Sequence, residues 1–196
     1  VAVQNADRLA VRTRPQRESA APLLQLIDET LAEVGCRLHD LDAMVALQGP
    51  GSFTGLRVGL ALTLGLHQGS RLPAGAVSTL EVLGAAVSLE GSCVACVDAL
   101  RGHWFVQRFE DGRVRSAPER VAIEELRLWE PTVWIGAGVG STDLPGERIE
   151  PPPLAPIAAA LVGAERVTLD PATLTRPLYL QDPALTPLST PKRVGA

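Results

Sequence analysis

The stretch from Leu47 to Gly69, LQGPGSFTGLRVGLALTLGLHQG, limits what this chain can fold into more than any other. A short apolar strand, LDAMVALQG, runs into a turn built on Gly49, Pro50 and Gly51, and a helix follows from Thr54 to Gln68. Leu56, Val58, Leu60, Leu62, Leu64 and Leu66 lie nearly all round that helix. One sheet covers only one side of a helix, so this one must be covered on more than one side. Gly55, Gly59 and Thr63 recur every four residues, a ridge of small side chains that would let another backbone approach closely. Strand, tight turn and oily helix are parts of a layered α/β fold.

The turn itself has two readings. It stands where backbone N–H groups and a helix dipole can hold a phosphate. Yet Gly49, Gly51 and Gly55 give GxGxxxG where the dinucleotide turn has GxGxxG, and no Gly-Lys pair makes it a P-loop. The other reading is a tight turn, Gly49, Pro50, Gly51, Ser52, Phe53, Thr54 and Gly55, in which Ser52 or Thr54 caps the helix. Capping accounts for Ser52 better than nucleophilic chemistry does, since PGSFT is not a GxSxG elbow. Arg57, the one charge in the first two helical turns, then either reaches a bound anion or pairs with an acid.

Elsewhere the chain alternates strands and helices. VAVQNADRLAVRTR reads as a hairpin turning at Asn5 to Asp7, because Val1, Val3, Leu9 and Val11 alternate with polar or small residues. Ser19 to Val34 is an amphipathic helix with Ala20, Leu24, Ile27, Leu31 and Val34 on one stripe and Gly35 as its stop. AGAVS predicts a strand, Thr79 to Leu89 a helix, and CVACVDAL with HWFVQRFEDGRVR a strand and a hairpin turning at Asp111-Gly112. IEELRLWE is a short helix, PTVWIGAG a strand ending in glycines, and PPPLAPIAAALVGAER a proline-rich loop and helix. The last stretch, from Arg176, is too rich in proline for regular structure. This rhythm divides the chain into an N-terminal α/β lobe, 1–92, and a C-terminal α/β lobe, 93–196, with the proline-rich tail.

Composition removes several kinds of chemistry. Lys192 is the single lysine, so the body of the chain has no Schiff-base or phosphate-loop lysine, and a net charge of -4 supplies no basic stripe for nucleic acid. His39, His67 and His103 are scattered and form no metal-ligand motif. Cys36, Cys93 and Cys96 are too few for a disulfide scaffold, and the CxxC lies in a strand, where i and i+3 point to opposite faces. Asp98 ends an apolar strand, where α/β folds place functional acids, or else it caps the turn or pairs with Arg101. The longest apolar run, Val58 to Leu66, falls far short of the roughly 20 residues of a membrane span. With no leader sequence read at the start, a soluble, cytoplasmic protein is expected.

DLDAMVALQGPGSFTGLRVGLALTLGL and AVSTLEVLG closely resemble the bacterial TsaB family, also called YeaZ, within the actin, sugar kinase and heat-shock ATPase superfamily. VDALRGHWFVQRF, WIGAGVG and RPLYLQDP extend the resemblance over most of the chain. It implies a two-lobed actin-like fold of the ribonuclease H-like type and a part in making threonylcarbamoyladenosine on tRNAs that decode codons beginning with A. In that family the chain is a non-catalytic partner of a TsaD-like transferase, with a TsaE-like ATPase acting through the complex. ATP and metal belong to those partners, this chain needing no cofactor of its own and meeting tRNA only indirectly. The first two helices of the N-terminal lobe make the contact, as a helical bundle, and alone they make a homodimer. Mapped here, the interface residues are Leu24, Ile27, Leu31, Leu56, Gly59, Leu60 and Thr63.

The chain departs from the family pattern in three places. A strand of the type LALDTS, expected before the hairpin and central in the sheet, is missing. RESAAP stands where the family has His-Ala-Glu, and Leu100 and HWF replace residues that follow Asp98 in the family. A contact with anion or nucleotide carried over through Asp98 is weakened by that change. The rival readings are a nucleotide-binding enzyme using Gly49 to Gly55 and Asp98, tested by calorimetry with ATP and Mg²⁺, and a metallopeptidase, against which the histidine pattern argues.

Overall fold

The computed structural model describes residues 1–5, 7–13, 21–87 and 91–179. The predicted cap at Ser19, the apolar Ala20, the end of the helix at Leu89 and most of the proline-rich tail lie outside them.

The opening segment forms an antiparallel hairpin, β1 (Ala2–Asn5) and β2 (Arg8–Val11). Its period-two pattern sends Val3 and Ala10 to one face, where Leu31 and Val34 of α1 (Ala21–Val34) cover them. Gly35, at φ +73°, ends α1: its N–H and that of Cys36 bond back to the carbonyls of Ala32 and Leu31, satisfying two orphan groups at once.

β3 (Met44–Gly49) and β4 (Ala74–Ser78) are parallel, joined by the crossover helix α2 (Phe53–Ser70). Met44, Ala46, Ala74 and Ala76 face α2, and Val45, Leu47 and Val77 face the other way, onto Ala158 and Leu161. α3 (Thr79–Ala85) follows β4 directly, capped by the Ser78 hydroxyl, which accepts from the N–H of Leu80.

The third sheet is built round β5 (Ser92–Asp98), flanked by antiparallel β6 (His103–Glu110) and parallel β9 (Val133–Ile135). β7 (Arg113–Val114) and β8 (Glu119–Ala122) pair with β6, and β10 (Glu147–Ile149) pairs with β9. The predicted turn between β6 and β7 takes positive φ at Asp111 and Gly112, as a two-residue hairpin requires. Cys96 packs on one face of β5 with Trp104, Trp134 and Leu126, and Cys93 on the other with Leu80, Leu83 and Phe109. IEELRLWE holds only one helical turn, α4 (Ile123–Leu126), before the chain bends to Trp129.

α5 (Leu154–Gly163) returns to the first half of the chain and packs against α3, β1 and β3. Among the described residues β1 pairs only with β2, and β3 only with β4, so each has one unpaired edge.

Candidate functional site

Eight of the residues singled out from the sequence, Gly49 to Gly55 with Arg57 beyond them, frame the start of α2. Ser52 is the N-cap, its hydroxyl accepting from the N–H of Gly55 at 3.3 Å, while Thr54 lies inside the helix and is exposed. Gly49 has φ +109°, and a side chain there would stand 2.9 Å from Cδ1 of Leu56 and 3.2 Å from the carbonyl oxygen of Leu178. The Gly49-Pro50 peptide is cis, and both residues are buried.

Helical geometry divides α2 into two apolar sides. Leu60, 2% exposed, and Leu64 pack on Ala74, Ala76 and Leu174. Leu56 packs over Gly49 and Gly51. On the opposite side lie Val58, Leu62 and Leu66, half-buried, with exposed Gly65 and Gly69. Of the small-residue ridge, Gly59 is open, a side-chain carbon there meeting nothing within 4 Å, while one at Gly55 would touch Ser52 at 3.4 Å; Gly65 and Gly69, outside the ridge, are open too. Thr63 donates its hydroxyl hydrogen to the carbonyl of Gly59 at 2.9 Å.

The interface residues mapped from the sequence therefore fall into two groups. Leu31, 4% exposed, and Leu60 are spent on this chain's own cores, with Ile27 and Leu56 partly so. Leu24, 47% exposed, and Gly59 are open to a partner, and Thr63 is half-buried beside Gly59. Val58, Leu62 and Leu66 are surface residues that the mapping missed. On the helix Val58 and Leu62 stand about 160° from Leu60, and Leu66 about 120°.

Among the described residues Arg57 has no acid as its partner. Its Nε donates to the hydroxyl of Tyr179 at 2.9 Å, and its guanidinium lies 3.8 Å over the ring of Phe53. An aromatic face and a phenol oxygen take the place of the carboxylate because the segment after the 3₁₀ turn Pro171–Thr175 folds back here. Asp98 does not pair with Arg101 either. Its Oδ1 accepts from the N–H of Leu100 at 2.7 Å and so folds a turn in which Leu100, Arg101 and Gly102 all have positive φ. The glycines after β9 are likewise held from within: the Glu150 carboxylate accepts from the N–H groups of Gly138 and Gly140 at 3.0 to 3.1 Å.

Cys93 and Cys96 are buried. Burial pushes the Cys93 thiol up to about 11. Burial, helped by the charges of Cys93 and Glu150, raises that of Cys96 to about 12. Among the described residues no three His, Cys, Asp or Glu side chains gather as metal ligands, and no helix is long and apolar enough to cross a membrane.

The family model for TsaD, tRNA N6-adenosine threonylcarbamoyltransferase, matches residues 13–126. The tRNA threonylcarbamoyladenosine biosynthesis protein TsaB of Haemophilus influenzae is 37% identical over 113 residues, 56% of this chain and 46% of that protein. An uncharacterized protein of Mycobacterium bovis is 30% identical over 183 residues, 93% of this chain and 83% of its own length. The chain thus spans about half the length of the Haemophilus relative and most of the mycobacterial one. A crystal structure from Pseudomonas aeruginosa, of an uncharacterized protein with similarity to peptidase YEAZ, superposes with a TM-score of 0.76 at 22% identity, covering 92% of this chain and 93% of that one.

Proposed function

The chain belongs to the TsaB (YeaZ) family, an α/β group of actin-like fold, and from that premise we propose that it acts in threonylcarbamoyladenosine biosynthesis as a non-catalytic docking subunit. Its partner is a TsaD-like transferase, which carries the metal and the chemistry. A TsaE-like ATPase acts through the assembled complex, and tRNA is met there and not by this chain alone. Without its partner the chain pairs with a second copy through the same surface.

One observation carries this reading: the outward side of α2. Val58, Leu62 and Leu66 line it, and the glycines beside them offer no side chain to keep another helix away. Partly exposed apolar surface of this kind, with small residues that permit close approach, is found at protein interfaces. Leu24 adds a second exposed apolar group from α1. The rival nucleotide reading is less well supported, since the glycine turn is used internally by Ser52, Leu56 and Leu178, and Asp98 is used by its own turn.

The test is light-scattering chromatography of the chain alone and mixed with the TsaD-like protein of the same organism. The expected result is a homodimer that gives way to a 1:1 complex. Leu62→Glu should abolish both while leaving the circular dichroism spectrum and thermal midpoint close to those of the native chain. Undiminished association of Leu62→Glu would refute the docking surface.

A further inference from the structure

The segment Arg176 to Tyr179 touches the start of α2 in three independent ways. The Gln48 side-chain amide donates to the carbonyl of Arg176 at 2.6 Å. The N–H of Leu178 donates to the carbonyl of Gln48 at 2.9 Å. Tyr179 accepts from Arg57 and lays its ring 5.3 Å, centroid to centroid, from that of Phe53. These contacts join residues more than 120 positions apart in the chain. They close on the two sides of the glycine turn: Gln48 immediately before it, Phe53 and Arg57 in the first helical turn after it.

The turn is shaped for this. The Leu178 carbonyl oxygen stands 3.2 Å from where a Cβ at Gly49 would lie, a contact tight enough that one of the two would have to shift. Phe53 and Tyr179 remain 42% and 40% exposed, so their burial gives a first helical turn little hold of its own. Four N–H groups at a helix start have no partner within the helix, and Ser52 satisfies one of them. The returning segment adds to this turn the hydrogen bond from Arg57 and the ring contact with Phe53.

We propose that Arg176 to Tyr179 is an intramolecular clasp, with Tyr179 as a positioning residue that orders the first turn of α2 and thereby sets how tightly that helix docks on its partner. The second half of this statement rests on the docking reading above. The first half does not.

Tyr179 is the only tyrosine in the chain, which supplies a direct probe. Protein labelled with 3-fluorotyrosine gives one fluorine resonance. In Arg57→Gln that resonance should move toward the position found in the urea-unfolded chain. The amides of residues 53–57 should exchange about twofold to tenfold faster, as expected for losing one solvent-accessible hydrogen bond, with those of β5 and β6 unchanged. An unmoved resonance or unchanged exchange overturns the clasp.

Tyr179→Phe, which keeps the ring and removes only the hydroxyl, should weaken association with a second copy and with the TsaD-like protein by about twofold to tenfold, at an unchanged thermal midpoint. Unchanged affinity overturns the coupling of clasp to docking. If the native chain associates with neither probe, the docking reading fails, and the fluorine and exchange measurements still decide the clasp.

Discussion

Replacing Leu60 by alanine separates the inner side of α2 from its outer side. Leu60 is 2% exposed and sits among Ala74, Ala76, Leu174, Met44, Ala46 and Leu64. Three of these neighbours are alanines, so little side chain is near enough to move into the space left behind. Truncation of a buried leucine costs about 2 to 5 kcal/mol, transfer and cavity together, and with rigid small neighbours a value of about 3 kcal/mol is expected. In urea, with a slope of about 2 kcal/mol per M for a chain of this size, the midpoint should fall by about 1.5 M. Equilibrium unfolding followed by tryptophan fluorescence measures the midpoint, and sedimentation of the still-folded variant measures association. Self-association should persist in Leu60→Ala below its unfolding midpoint. A variant with the native midpoint but no association would refute the argument, because Leu60 would then face the partner and not the sheet.

Two further outcomes follow from other parts of the molecule. Cys93 and Cys96 have folded pKa values raised to about 11 and about 12 from an ordinary 9.0, so the stability that depends on their protonation is complete below pH 9 and is lost as pH rises from there through the folded values. Denaturant midpoints measured from pH 8 to 11 should fall above pH 9, and Cys93→Ala should lessen the slope of that fall. Gly136→Ala would place a methyl group 2.1 Å from the carbonyl oxygen of Cys96, a backbone atom in the middle of the third sheet. A loss of more than about 3 kcal/mol is expected, read as a collapse of the thermal midpoint or of soluble yield.

Much of the fold was legible because local rules sufficed. Val3 and Ala10 alternate with polar neighbours, Gly35 stops α1, and Asp111-Gly112 supplies two positive φ angles where a hairpin needs them. The opposite-facing cysteines followed from the period of a strand alone. The candidate site was only half legible. A helix that is apolar all round carries no periodic signal for which side meets the sheet, so Leu60 was assigned outward and Val58, Leu62 and Leu66 were passed over. The choice was made by residues such as Ala74, Ala76 and Leu174, whose packing on α2 is tertiary. Arg57 posed the same difficulty. Its partner, Tyr179, lies 122 residues away, and nothing near Arg57 in the sequence indicates it.

Among the described residues the outer edges of β1 and β3 have no pairing strand, which has a consequence for handling these residues on their own. β3 reads MVALQG, without charge or proline, and strands of that composition with a bare edge can seed cross-β fibrils. In the native state α2 covers one face of β3 and α5 the other, which leaves only a narrow line of approach. Any condition that loosens α5 uncovers a face as well as the edge. Prolonged storage at high concentration or mild heating should therefore end in fibrillar material whose protease-resistant core contains residues 44–49.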